Sequence, residues 1–263
     1  ARFDPAPLTP GISPAASSGT VPHVDSRRRA RVLREGVPSP SGWSFSKWWI
    51  KVLPKETRLL WPPTDFRGRF AALTNVREPG RTQPPDPPSR GALVRDFLGG
   101  GQSPAEFLAA RDLDAYAGFN LLLGTPDELW SAGNRDPQPP RALEPGVYGL
   151  SNAVLDEPWP KLTRARAALG AALAAGPTPD ALLALLADRR RPADDELPDT
   201  GVGLEAERFL SAAFLVSEPY GTRCSTALIH DAAAGALRFV ERSFDPAGQA
   251  TEARDHAFPL ETP

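Results

Sequence analysis

Apolar and polar positions fall into a readable order from about residue 68. Arg69-Phe70-Ala71-Ala72-Leu73-Thr74 is a short apolar run that ends at Asn75 and predicts a strand. A loop heavy in Pro, Arg and Asp follows to about Pro88. Leu93, Val94, Phe97 and Leu98 then recur at helical spacing over residues 91–98, and Gly99-Gly100-Gly101 stops that helix. Ser103-Pro104-Ala105-Glu106 is a capping box with Pro in the first turn, so a second helix starts there, carrying Phe107 and Leu108. Phe119 to Leu123 predicts a strand. Thr125-Pro126-Asp127 turns it, and Glu128 to Ala132 pairs back as a hairpin.

The second half reads in the same way. Val147 to Leu150 predicts a strand that ends at the polar pair Ser151-Asn152, and Pro158 and Pro160 hold Trp159 extended. Residues 163–175 predict a helix closed by Gly176. Thr178-Pro179-Asp180 caps another, with Leu182, Leu183, Leu185 and Leu186 as its buried face. Arg189, Arg190 and Arg191 suit the negative end of its dipole. A polar loop over residues 192–203 precedes strands predicted at 209–216, 225–230 and 237–242, the last two joined by a turn at Ala232-Ala233-Ala234-Gly235. Strands, then helices, then strands imply an α+β fold.

Composition narrows the picture. The chain has 263 residues, enough for a sizeable core, and a net charge of −2, which gives no global sign of nucleic acid as a partner. A single Cys allows no internal disulfide and fits a reducing, cytoplasmic setting. No apolar run is long enough to span a bilayer, and no secretory signal pattern stands at the start. There is no Met, even at position 1, so the start reads as processed, trimmed or missing. Residues 1–66 differ from the rest: they hold three of the four lysines and four of the six tryptophans, and the first 42 residues are rich in Pro, Ser, Gly and Arg. They read as a disordered or mis-framed segment ahead of one domain over residues 67–263.

Chemistry is sparse. There is no G-x-S-x-G elbow, glycine-rich phosphate loop or zinc spacing. His23, His230 and His256 lie far apart, and Cys224 beside Arg223 reads as a small buried residue or as a thiol of lowered pKa. Ser151-Asn152, a polar pair at a strand end, is where binding or catalytic groups often sit, and turn capping accounts for it too.

Five motifs in order resemble one known family. They are Gly68-Arg69-Phe70-Ala71-Ala72-Leu73-Thr74-Asn75 with Arg77-Glu78-Pro79, and Tyr116-Ala117-Gly118-Phe119-Asn120-Leu121. Next come Tyr148-Gly149-Leu150-Ser151-Asn152 with Pro158-Trp159-Pro160-Lys161, Leu197-Pro198-Asp199-Thr200-Gly201-Val202, and Tyr220-Gly221-Thr222-Arg223-Cys224-Ser225-Thr226. Together they resemble the transport-and-Golgi-organisation protein 2 family, or NRDE-motif family, from about Gly68 to Leu260. The resemblance implies an N-terminal-nucleophile hydrolase-like αββα sandwich, two stacked antiparallel sheets between helix layers. Family members begin with Met-Cys in a first strand and carry an Asn-Arg-Asp-Glu motif and a Gly-Gly-Thr-Trp-Leu-Gly turn. None of these is in the sequence, so the expected sandwich lacks its first strand.

Two functions follow from the resemblance. One is a non-catalytic carrier of a small-molecule ligand or haem, in haem homeostasis or trafficking, with no haem-ligand pattern visible in the residues. The other is an amide or ester hydrolase, inactive in this chain for want of its N-terminal Cys. A weaker likeness to the choloylglycine-hydrolase branch gives Asn75 and Asn152 the role of binding substrate or a developing oxyanion, and gives Arg223 that of supporting the nucleophile. Turn caps and a surface Arg are the alternative reading of the same three residues. All of this treats Asn75, Asn152 and Arg223 as converging on one hollow.

Overall fold

The computed structural model describes residues 49–51, 68–231 and 234–260. Two four-stranded antiparallel sheets and five α-helices make up an α+β architecture. One sheet has the order β2 (Phe70–Asn75), β3 (Phe119–Gly124), β4 (Leu129–Gly133), β5 (Arg141–Ala142). The other has the order β1 (Trp49–Lys51), β6 (Cys224–Asp231), β7 (Ala236–Phe244), β8 (Ala250–Pro259). The helices are α1 (Arg90–Gly99), α2 (Pro104–Ala109), α3 (Pro160–Ala175), α4 (Pro179–Leu185) and α5 (Leu204–Leu210).

β2 and β3 are buried on both faces, which is why they read as nearly continuous apolar runs. Side chains alternate across a strand. Ala71 and Leu73 of β2, with Phe119, Leu121 and Leu123 of β3, pack against Leu93, Val94, Phe97, Phe107 and Leu108 of α1 and α2. Phe70, Ala72 and Leu122 face the other way, into a cluster with α3, α4 and the second sheet through Leu169, Leu173, Leu182, Leu183, Ala227 and Val240. Each fully buried Leu, Val or Phe among them contributes about 1.5–3 kcal/mol.

Local devices fix the helices. Ser103 Oγ accepts the Glu106 amide at 3.2 Å while Glu106 returns a bond to the Ser103 amide at 2.8 Å. Thr178 Oγ1 accepts the Ala181 amide at 3.2 Å. At the end of α1, Arg69 donates to the Phe97 carbonyl through Nε and Nη2, at 3.2 and 2.9 Å, and lies over the Phe97 ring. Its charge meets the negative end of the helix.

Four expectations are corrected. Residues 147–150 form no strand: the N–H and C=O of Gly149 both bond to Asp156, at 2.7 and 2.8 Å, instead of to a neighbouring strand. The run 209–216 is not a strand either. Its start closes α5, and Phe214 and Leu215 bond to Asp188 and Thr222 outside any sheet. The basic run 189–191 does not serve the end of α4, which stops at Leu185. Arg190 instead clamps Asp188, and Arg189 donates to the Gly248 carbonyl at 3.1 Å. Lastly, β8 and the three-residue β1 stand where the residue pattern predicts no strand. β1 pairs antiparallel with Thr226–Leu228 of β6. The expected turn at 232–235 falls partly, and the expected disorder of 1–66 almost wholly, outside the described residues. Among the described residues no helix is long and apolar enough to cross a membrane.

Candidate functional site

The site forms where the end of β2 meets the loop that leads into α3. Asp156 takes a positive φ of 62° and ties that loop back on itself through its two bonds to Gly149. The loop is then sewn to β2 and β3. Asn152 Nδ2 donates to the Asn75 carbonyl at 2.9 Å, and the Arg77 amide donates to the Asn152 carbonyl at 2.7 Å. From β3, Asn120 Nδ2 donates to the Ala153 carbonyl at 2.7 Å and to Thr74 Oγ1 at 3.2 Å. A polar amide buried in a sheet needs such partners, and here they position the loop.

Beneath this stitching lies a small hollow with an open mouth, about 70 Å³ in volume. Thr74, Arg77, Ser151, Asn152, Lys161, Tyr220 and Thr222 supply its polar lining, among Leu150, Leu162 and Leu215. Arg77 is nearly enclosed and pairs with Glu207 of α5 at 2.8 Å. Glu207 is itself buried and outside the lining. Its other oxygen accepts the Thr200 amide at 2.8 Å and the Thr200 hydroxyl at 2.5 Å. Burial pulls the Arg77 pKa below its ordinary value, against the pull of Glu207, and a guanidinium remains a cation regardless.

Lys161 is the second cation of the hollow. It sits in the first turn of α3, behind Pro160, and its Nζ donates to the Leu210 carbonyl at the end of α5, at 2.9 Å. The residue is half-buried, with its ammonium set deep. Burial, then the neighbouring Arg77 charge, pushes its pKa down to about 8, with Glu207 opposing. Trp159 lies beside both cations, its ring 5.0 Å from the Arg77 guanidinium and 5.5 Å from Lys161 Nζ.

The three expected site residues are distributed unevenly around this hollow. Asn152 lines it, and Asn75 stands directly behind through the carbonyl that holds Asn152. Arg223 is not on the lining, although its neighbours Gly221 and Thr222 are. Its Nη2 donates to the carbonyls of Ser217 and Glu218 at 3.0 and 2.8 Å, so it clamps the preceding loop. Its Nη1 is buried with no hydrogen-bond partner among the described residues, close to Gly221. Cys224 follows; burial, and then the charge of Glu241, push its thiol pKa up, away from a reactive thiolate. Among the described residues no three or more His, Cys, Asp or Glu side chains cluster so as to hold a metal ion.

Residues 60–246 match the pattern of the family described as Transport and Golgi organisation 2. The chain belongs to that family. It is 34% identical over 219 residues to the human Transport and Golgi organization protein 2 homolog, covering 77% of this chain and 78% of that protein. It is 32% identical over 199 residues to the Mus musculus Transport and Golgi organization 2 homolog, covering 70% and 71%. The matched stretch takes in every lining residue of the hollow.

Arg77, Lys161 and Glu207 are the residues that sequence reasoning left without a role. Arg77 and Lys161 stand inside two of the motifs that carry the family resemblance. Lys161 is also the only lysine after Lys55 in a chain that otherwise uses arginine.

Proposed function

We propose that the protein is a non-catalytic carrier whose hollow takes an amphipathic small molecule by its carboxylate end. The observation that carries this reading is the pairing of two cations, Arg77 and Lys161, with a lining of Leu and Ala. The one buried carboxylate nearby, Glu207, is occupied by Arg77 and Thr200 and lies off the lining. A ligand carboxylate would therefore gain a charge-assisted bond without displacing a protein anion from the hollow. Such sites are mostly apolar with a few placed polar groups, as here.

Haem, the ligand the family resemblance implies, is one such molecule, with two carboxylates on an apolar ring. A haem carboxylate suits the two cations, and the ring, larger than the hollow, would stay at its mouth. The lining offers no His or Cys to the iron, and Tyr220 is its only phenol, so the reading rests on the anionic end alone. The test is titration with haemin, iron-free protoporphyrin IX and the protoporphyrin dimethyl ester. The two free acids should bind alike. Arg77→Gln should weaken them about tenfold or more, the scale of a lost charged hydrogen bond. Equal binding of the dimethyl ester overturns the reading.

The stitched pair Asn75 and Asn152 beside the hollow favours a second reading, an amide or ester hydrolase of the N-terminal-nucleophile type. No Cys precedes Cys224 in the sequence. Hydrolysis of an amide or ester by the purified chain, abolished in Asn152→Ala, would carry this reading in place of the first.

A further inference from the structure

Lys161 differs from the other cations of the domain in three ways. It is the only lysine beyond residue 55, so every other cationic side chain there apart from histidine is a guanidinium that cannot lose its proton. It lies in the first turn of the 16-residue helix α3, where the positive end of the helix dipole disfavours an ammonium. It also makes no ion pair among the described residues. Its one hydrogen bond to a described residue is to the Leu210 carbonyl, and Glu207, the carboxylate whose charge acts on it, is spent on Arg77 and Thr200. Arg77, Glu207 and Tyr220 are the ionisable groups around it, and only Glu207 favours its charge.

We propose that Lys161 captures aldehydes reversibly as an imine within the hollow, so that the ligand class of the carrier includes amphipathic aldehydes. This rests on the reading of the hollow as a ligand site. The Nζ lone pair attacks the carbonyl carbon, the C=O π electrons move to oxygen, and one Nζ proton passes to that oxygen to give a carbinolamine. A proton from Nζ and the hydroxyl leave together as water, and the C=N bond forms. Nothing is oxidised or reduced, and water is the only other product. With its pKa near 8, about one Lys161 in ten is free amine at pH 7. That is roughly 200-fold more than for an ordinary lysine. The hydroxyl-bearing Thr74, Tyr220 and Thr222 and the apolar Leu162 and Leu215 line the hollow beside the amine.

The rival account is that Lys161 only caps the end of α5 through Leu210. Reductive trapping separates the two. The full chain is incubated at pH 7 with 4-carboxybenzaldehyde and cyanoborohydride, and labelling is read by peptide mass mapping. Lys161 should be labelled at least about tenfold faster than Lys47, Lys51 and Lys55. Lys161→Arg, which keeps the charge and a donor for Leu210, should keep its melting temperature and lose the fast label. Labelling of Lys161 no faster than that of the other three lysines overturns the proposal. Calorimetry with 4-methylbenzoate, which cannot form an imine, reports on the hollow alone. If it binds without fast labelling, the imine falls and the carrier stands. If it fails to bind, the carrier reading falls, and the uncharged benzaldehyde then decides Lys161: fast trapping upholds the imine chemistry, slow trapping ends it.

Discussion

Replacing Lys161 by Met removes a buried charge while leaving a chain of similar length, and its effect must depend on pH. An ammonium whose pKa falls from 10.5 to about 8 on folding is a cost to the folded state. The unfolded chain binds the proton more tightly, so the cost is fully present below about pH 8 and is relieved as pH rises toward 10.5. Integrating the two titrations gives a penalty of about 3 kcal/mol at pH 7 and about 1 kcal/mol at pH 10. Wild type should therefore gain about 2 kcal/mol relative to Lys161→Met between these two pH values. The bond from Nζ to the Leu210 carbonyl is lost in the variant at every pH, so it offsets the absolute values and leaves the difference untouched. Urea melts of both proteins at pH 7, 8, 9 and 10 measure this. Stability curves that run parallel within about 0.5 kcal/mol across the range would refute the claim that this amine is desolvated, and would remove the support it lends to imine capture.

Two further perturbations test the fold outside the hollow. Asn134 accepts the Phe119 amide at 3.0 Å and donates to the carbonyls of Leu113 and Tyr116 at 3.1 and 2.8 Å. Asn134→Ala should cost about 2–3 kcal/mol in a urea melt, since it leaves three backbone groups without that partner; a cost under about 0.5 kcal/mol contradicts this. Asp188 has its pKa lowered to about 2, chiefly by its bonds to Arg190, with Arg164 adding to the effect. Its stabilisation is full above about pH 4 and is lost as pH falls through 2, so Asp188→Asn should flatten the loss of stability between pH 5 and 2. Identical acid-side slopes for the two proteins would count against it.

How much the sequence reveals depends on how each element is buried. β2 and β3 are legible because both of their faces are covered, so every position is apolar or satisfied. β8 is illegible for the opposite reason: nearly every position is exposed and no alternation marks it. Residues 147–150 mislead because a strand-like run spends its hydrogen bonds on Asp156, which lies six residues beyond. The segment 209–216 shows that a short apolar run can end a helix as readily as fill a strand. At the site, Asn152 is visible as a polar turn after an apolar run, and its family resemblance marks it again. Arg77, Lys161 and Glu207 meet across 130 residues of chain, and a charged residue in sequence carries no sign of being enclosed. Arg223 is a member of a recognised motif, and its observed bonds are those of a loop clamp.

The outer position of β8 has a bearing on how the protein behaves at high concentration. Among the described residues no strand pairs with its outer side, the kind of rim on which a second chain can add a strand. Along it Glu252 and Arg254 pair with each other, and Asp255 pairs with Arg238 of β7, so charge stands at successive positions on both faces. A foreign strand would have to accommodate that pattern of alternating sign, and the rim thus resists polymerisation through its own side chains.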